Sequence, residues 1–205
     1  MKVHDFARWI LPEVLGCPDP VVDQAIVSTV YEFCDQTGAW DETQDAQTVE
    51  ANVSDYDIPA PAGAIALRVL DVLLSGRPLS SLSFHTAAMT QRVSAPVGYT
   101  SSIERGVVRL VPVPTETGAL LVVRAAYAPS MTATVLPDFL MQRYAEVIAS
   151  GTKARLQMMP GVAWTNPTLA AVHAQRFQSG MIDARVESLY GRNNGSVRIE
   201  PKVFK

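Results

Sequence analysis

The chain is poor in the residues that most catalytic and anchoring devices require. Two cysteines, Cys17 and Cys34, occur in 205 residues, too few for the disulfide framework of a small secreted scaffold. Cys34 occupies an apolar position of an expected helix, so two buried thiols in a reducing compartment are anticipated. The three histidines, His4, His85 and His173, lie on separate segments and lack the short spacing of zinc ligands. Gly161 and Gly180 stand alone and Gly16 runs into Cys17-Pro18, which leaves no spaced-glycine loop to cradle a phosphate. Neither a nucleophile elbow nor a cysteine beside a base is present. The acid pairs Asp41-Glu42 and Asp55/Asp57 fall in turns, where carboxylates cap backbone amides or face water. No catalytic residue, metal site or cofactor is therefore expected. A small hydrolase stays open only if folding lines a polar pocket with His85 or His173 and a carboxylate.

Long apolar runs are missing as well. Ala64 to Leu74 and Ala119 to Tyr127 are interrupted by Arg68, Asp71 and Arg124, far short of the roughly 20 apolar residues that a membrane helix needs. The opening MKVHDFARWILPEVLG places Asp5 and Arg8 where a secretory signal would have its apolar core. A cytoplasmic protein without a membrane partner is the expectation.

What is present is the composition of a globular protein. Hydrophobic residues make up 48% and charged residues 18%, enough apolar surface to support a core. The length suits one domain. The first 60 residues carry twelve acids against Lys2 and Arg8, a net of −10, and the remainder carries fifteen bases against eight acids, a net of +7. Such polarity suits either attraction within one fold or end-to-end pairing of copies.

The strongest pattern runs from Leu136 to Tyr190. Leu136, Leu140, Tyr144, Val147, Ile148, Gly151 and Ala154 recur every three or four residues, and Leu169, Val172, Phe177, Met181 and Ala184 do so after the break PGVAWTNP. Pro137 with Asp138, and Asn166 before Pro167, are helix openers. Two antiparallel helices are expected. Trp164 in the break is either a core plug or an interface anchor.

Upstream, a short helix over residues 4–15 is interrupted by Pro12. A second helix follows, capped by Asp19 and closed by Gly38, with Val22, Ile26, Val30 and Phe33 on its apolar side. Alternation in AIALRVLDVLL predicts a strand turning at Ser75-Gly76. VGYTSSI, GVVRLVPV and ALLVVRAAY, the last after the turn PTETG, add more strands. The fold class is thus α+β: N-terminal helices, a central antiparallel β-sheet of about four to five strands, and a C-terminal antiparallel helix pair. One α+β domain is expected over residues 1–190, with its helical part at 4–38 and 137–190 and its β-rich part at 41–128. Residues 191–205 are expected to be either a frayed terminus or an extended C-terminal arm that becomes ordered on a partner. There Val197, Ile199, Val203 and Phe204 alternate with Arg198, Glu200 and Lys202, a pattern that suits strand addition on a partner. The bases Arg143, Lys153, Arg155, Arg176, Arg185 and Arg192 are interleaved with acids and form no arginine-aromatic platform, which gives little support to specific DNA readout.

Three blocks, taken in order, resemble the head-to-tail adaptor (head completion, gatekeeper) proteins of tailed bacteriophages. They are LPEVLGCPDPVVDQAIVSTVYEFCDQTGAW, YDIPAPAG leading into VLDVLLSGRPL, and LPDFLMQRYAEVIASGTKARLQMMPGVAWTNPTLAAVHAQRF. The layout is similar to that of tail tubular protein A of short-tailed phages. The resemblance implies a structural virion protein at the head-tail junction, assembled in the host cytoplasm. It implies a homo-oligomeric ring of twelve copies, bound to the portal protein on one side and to a tail or nozzle protein on the other, with genomic DNA passing through non-specifically. Carried over, it makes Arg185, Arg192, Arg198, Ile199, Lys202, Val203 and Phe204 portal-binding, and makes Ser75, Gly76, Arg77, Pro78, Thr115, Glu116 and Thr117 tail-facing. The competing readings are a tail completion or terminator protein and a DNA-binding accessory factor.

Overall fold

In the computed structural model, which describes residues 1–83, 85–87, 98–102 and 106–190, the chain is α+β with the expected succession of elements. It opens on two short 3₁₀ segments, Val3–Trp9 and Leu11–Glu13. They replace the single short helix expected over residues 4–15, because Pro12 lacks the amide that would carry a regular helix through.

Helix α1 spans Asp19–Thr37. It begins one residue earlier than the sequence suggests, with Pro18 rather than Asp19 at the N-cap. Its end is as expected: Gly38 takes a left-handed conformation at φ 65°, and its amide reaches the Cys34 carbonyl at 2.8 Å. A glycine has no Cβ to oppose that geometry. Val22, Ile26, Val30 and Phe33 are fully buried.

The strands lie between residues 41 and 129 and form two sheets. Strands β1 (Asp41–Thr43), β2 (Gln47–Thr48), β4 (Ala64–Leu74), β5 (Arg77–Pro78) and β9 (Leu120–Pro129) form the first, ordered β1-β9-β4-β5, with β2 also paired to β9. Every pairing in it is antiparallel. Strands β3 (Asp55–Asp57), β6 (Ser80–Ser81), β7 (Gly98–Ser102) and β8 (Val107–Val111) form the second, ordered β3-β8-β7-β6. Its β6–β7 pair is parallel. This second sheet adds to the expectation of one sheet of about four to five strands.

β9 is the hub. Leu121, Val123, Ala125 and Tyr127 are buried on one side, and Ala126 and Ala128 are buried as well. Three strands of the first sheet pair with it directly. β4 does not keep the strict in-out alternation that its sequence suggests. Register shifts between Ala66 and Arg68 and between Val69 and Asp71 rotate its faces, as bulges do, and Val72 is its one fully buried residue.

The chain ends its described part in helices α2 (Asp138–Gln157) and α3 (Pro167–Tyr190). Pro137 stands at the N-cap of α2. The Asn166 side chain caps α3 by accepting from the Leu169 amide at 3.2 Å. Leu136, Leu140, Tyr144, Ile148, Gly151 and Ala154 face the core as the spacing predicts. In α3 the inward line is Ala170, His173, Phe177 and Ala184, with Met181 packed beside it, whereas Leu169 and Val172 are exposed. The helices meet closely: a Cβ on Gly151 would lie 2.6 Å from Thr29 and 2.7 Å from Phe177, and one on Gly180 would lie 2.5 Å from Val147. Phe33 and Tyr144 pack between α1 and α2 with ring centroids 4.9 Å apart and ring planes tilted by 50°. Trp164, in the loop between α2 and α3, packs against the same core.

Candidate interaction surfaces

One end of the β-rich layer is built from tight turns. Ser75 (φ 48°) and Gly76 (φ 78°) link β4 to β5. Positive φ at both central residues is the turn that best matches strand twist. The Ser75 amide donates to the Leu120 carbonyl at 2.7 Å, which sets this hairpin beside the start of β9. The loop after β8 arrives at the same place. Asn52 and Pro114 share a backbone hydrogen bond of 2.8 Å, and the Ala51 amide donates to Thr117 Oγ1 at 3.0 Å. The fold thus brings Ser75, Gly76, Arg77 and Pro78 together with Thr115, Glu116 and Thr117, all exposed. Val53, Val113 and Leu120 are exposed in the same segments, an apolar component that the sequence reading did not single out.

The C-terminal end of α3 lies elsewhere. Ser188 Oγ donates to the Thr37 carbonyl at 2.6 Å, which ties α3 to the end of α1. That end in turn sits against β4, where Arg68 Nη1 donates to the Asp35 carbonyl at 3.1 Å. From Arg68 to Ser75 is seven residues of strand, about 23 Å. Arg185 is on this part of α3, exposed. Arg192, Arg198, Ile199, Lys202, Val203 and Phe204 lie outside the described residues.

A third feature is a cleft of 420 Å³ lined by Trp9, Glu146, Ser150, Lys153, His173 and Arg176, among others. His173 is buried and its Nε2 lies 2.7 Å from Glu13 Oε2. The other Glu13 oxygen accepts from Lys153. The Lys153 ammonium first, and then His173, hold the Glu13 carboxyl below its ordinary range, against the opposing effect of partial burial. This juxtaposition of histidine and carboxylate in a pocket is the arrangement that would keep a hydrolase open. Its wiring is that of a clamp. Both Glu13 oxygens are engaged, His173 Nδ1 is buried without a partner, and among the described residues no hydrogen bond links His173 to Ser150 or another nucleophile. Among the described residues no cluster of three or more potential ligands is placed to hold a metal ion. No helix among them is long and apolar enough to cross a membrane.

Part of the charge polarity of the sequence is consumed inside the fold. Acids of the first 60 residues pair with bases beyond them: Glu13 with Lys153, Glu32 with Arg155, Asp41 with Arg124, and Asp55 with Arg109. The Asp55 pair is two-pronged, at 2.6 and 2.7 Å. Cys17 and Cys34 are both free and buried. Arg8 lies 4.0 Å over the Trp9 ring, the sole arginine-aromatic stack among the described residues, and its guanidinium also reaches Met141 Sδ on α2 at 3.0 Å.

The site is therefore a set of surfaces: a turn-rich end with exposed apolar side chains, and a separate helical end from which the last residues depart. Compared with known proteins, the chain matches the model of one family, described as the SU10 adaptor protein, over residues 3–199. None of the curated proteins matches it.

Proposed function

The chain belongs to the SU10 adaptor protein family, a family of phage adaptors, and from that premise we propose that it is a structural, non-enzymatic subunit of the head-to-tail junction. In this reading twelve copies close into a ring between the portal protein and a tail or nozzle protein, with the layout of tail tubular protein A, and genomic DNA passes through the lumen. Ring closure joins one surface of each copy to a different surface of the next. The portal side is assigned to Arg185 and to the arm residues Arg192, Arg198, Ile199, Lys202, Val203 and Phe204. The tail side is assigned to Ser75, Gly76, Arg77, Pro78, Thr115, Glu116 and Thr117.

The observation that carries the reading is the family match along nearly the whole chain. The separation of the turn-rich end from the end of α3 supports a subunit that bridges two partners. The decisive experiment is electron microscopy of the chain mixed with its cognate portal. An added ring is expected on the portal, and its symmetry gives the copy number. A ring that forms on tail tube and not on portal would instead identify a tail completion or terminator protein. Removing residues 191–205 is expected to abolish portal binding while circular dichroism stays unchanged; full binding by the shortened chain would overturn the arm assignment.

A further inference from the structure

Helix α3 is apolar on its outer side as well as its inner one. Ile182, Val186 and Leu189 keep 64%, 51% and 68% of their surface in solvent. At about 3.6 residues per turn they fall within about 60° of one another, roughly opposite His173, Phe177 and Ala184, which face inward. Exposed Asp183 borders this line on one side. A second uncovered apolar surface is a groove of 510 Å³ lined by Pro20, Asp23 and Val27 of α1 and by Met131 and Val135 of the segment after β9. Met131 and Val135 are 48% and 58% exposed. Lys2 lines the groove too, paired with Val135 by an antiparallel bridge. The two surfaces belong to opposite ends of α1. Ser188 of α3 is bonded to Thr37, and about 21 Å of helix separates Thr37 from Asp23.

We propose that this line and this groove are the two halves of one contact between copies of the chain. Ile182, Val186 and Leu189 of one copy seat in the groove of the next, and Asp183 meets the partner's Lys2. The contact rests on the ring reading above and names the surfaces that close it. Three observations favour a second copy as the occupant. The first is charge. Neither Lys2 nor Asp183 has an ion-pair partner among the described residues, and their opposite signs fix which flank of the line meets which side of the groove. The second is that both halves stand on one chain. Each copy carries one line and one groove, so a second copy covers both by a single operation, whereas a foreign partner on either surface leaves the other bare. The third is placement. Surfaces at opposite ends of α1 cannot meet within one copy, and two different surfaces are what a head-to-tail contact joins. A two-fold pairing of α3 with itself would cover the line and leave the groove open.

The test cross-links copies of the full-length chain. The double variant Val135→Cys/Val186→Cys is mildly oxidised at high concentration, alone and on its cognate portal. A ladder of disulfide-linked chains, dimer, trimer and beyond, is expected on a non-reducing gel, with the parent chain, whose two thiols are buried, as the blank. A bond within one chain is out of reach, since a disulfide needs Cα atoms within about 7 Å. Mixing the two single variants should give only dimers made of one chain of each. Adding Lys2→Glu to the double variant should lower the ladder yield severalfold, and adding Asp183→Lys as well should restore it, with circular dichroism showing that both fold. A ladder indifferent to Lys2→Glu would overturn the pairing of Asp183 with Lys2. Dimers formed by Val186→Cys on its own would overturn the proposal in favour of two α3 helices facing each other. No cross-link in either sample, while microscopy shows an added ring on the portal, would overturn this contact and leave the ring reading standing. A ladder with no ring on the portal would support the contact and count against the portal assignment.

Discussion

At the scale of single residues, Glu13 does the most joining. Its carboxylate engages Lys153 on α2 and His173 on α3, and its backbone carbonyl accepts from Gln157 at 3.3 Å, so a 3₁₀ turn is fastened to both C-terminal helices. Because the folded-state pKa of Glu13 is depressed, its contribution is present above the unfolded carboxylate value near 4.3 and is lost as pH falls below it. Thermal melts between pH 7 and pH 3 should therefore show an acid limb that flattens in Glu13→Gln. An unchanged limb would mean that water screens the clamp, since the Glu13 side chain is 38% exposed. The sequence raised His173 beside some carboxylate but could not name Glu13 or Lys153, since the members are 140 and 160 residues apart. Gly38 was legible for the opposite reason, because a helix end is a local event. Gly38→Ala is expected to cost about 1–2 kcal/mol through the left-handed backbone alone, and more where its Cβ meets Arg68 Nη2 at 2.9 Å; chemical denaturation measures it.

At the scale of elements, the packing of α2 on its neighbours depends on having no side chain at two points. Gly151→Ala would gain helix propensity of up to about 1 kcal/mol in isolation. Here its new methyl would press on Thr29 and Phe177, which are both buried. We expect Gly151→Ala to be net destabilising by about 1–3 kcal/mol, as overpacking is, with a lowered denaturation midpoint and an unchanged slope. A midpoint that rose would show that α1 and α3 can move apart at no cost. The helices were readable from periodicity because each presents an apolar face to a single core. The partition of strands between two sheets was not, because it depends on pairings such as Asp41 with Ala126 and Asp55 with Arg109, which alternation within a strand does not encode. The inward face of α3 was half legible. Phe177 and Ala184 followed the expected spacing, but Leu169 and Val172 turned outward, since a helix apolar on two sides gives periodicity no means of choosing between them.

At the scale of the whole molecule, four acids of the first 60 residues are paired with bases beyond them, and the cations assigned to the portal side are not among those bases. Docking to the portal should accordingly weaken as ionic strength rises, measured as portal affinity across a salt series. Complete indifference to salt would mean that apolar contacts carry the interface. The arrangement of the first sheet has a further consequence, in time rather than in space. β1, β2 and β4 all find their partner in β9, which the ribosome delivers only at residues 120–129. A fragment ending at Gly118 should show no cooperative melt. During synthesis at ~5–20 residues per second, β1, β2 and most of β4, which until then has only the short β5 as a partner, therefore wait roughly ten seconds for the strand that unites them.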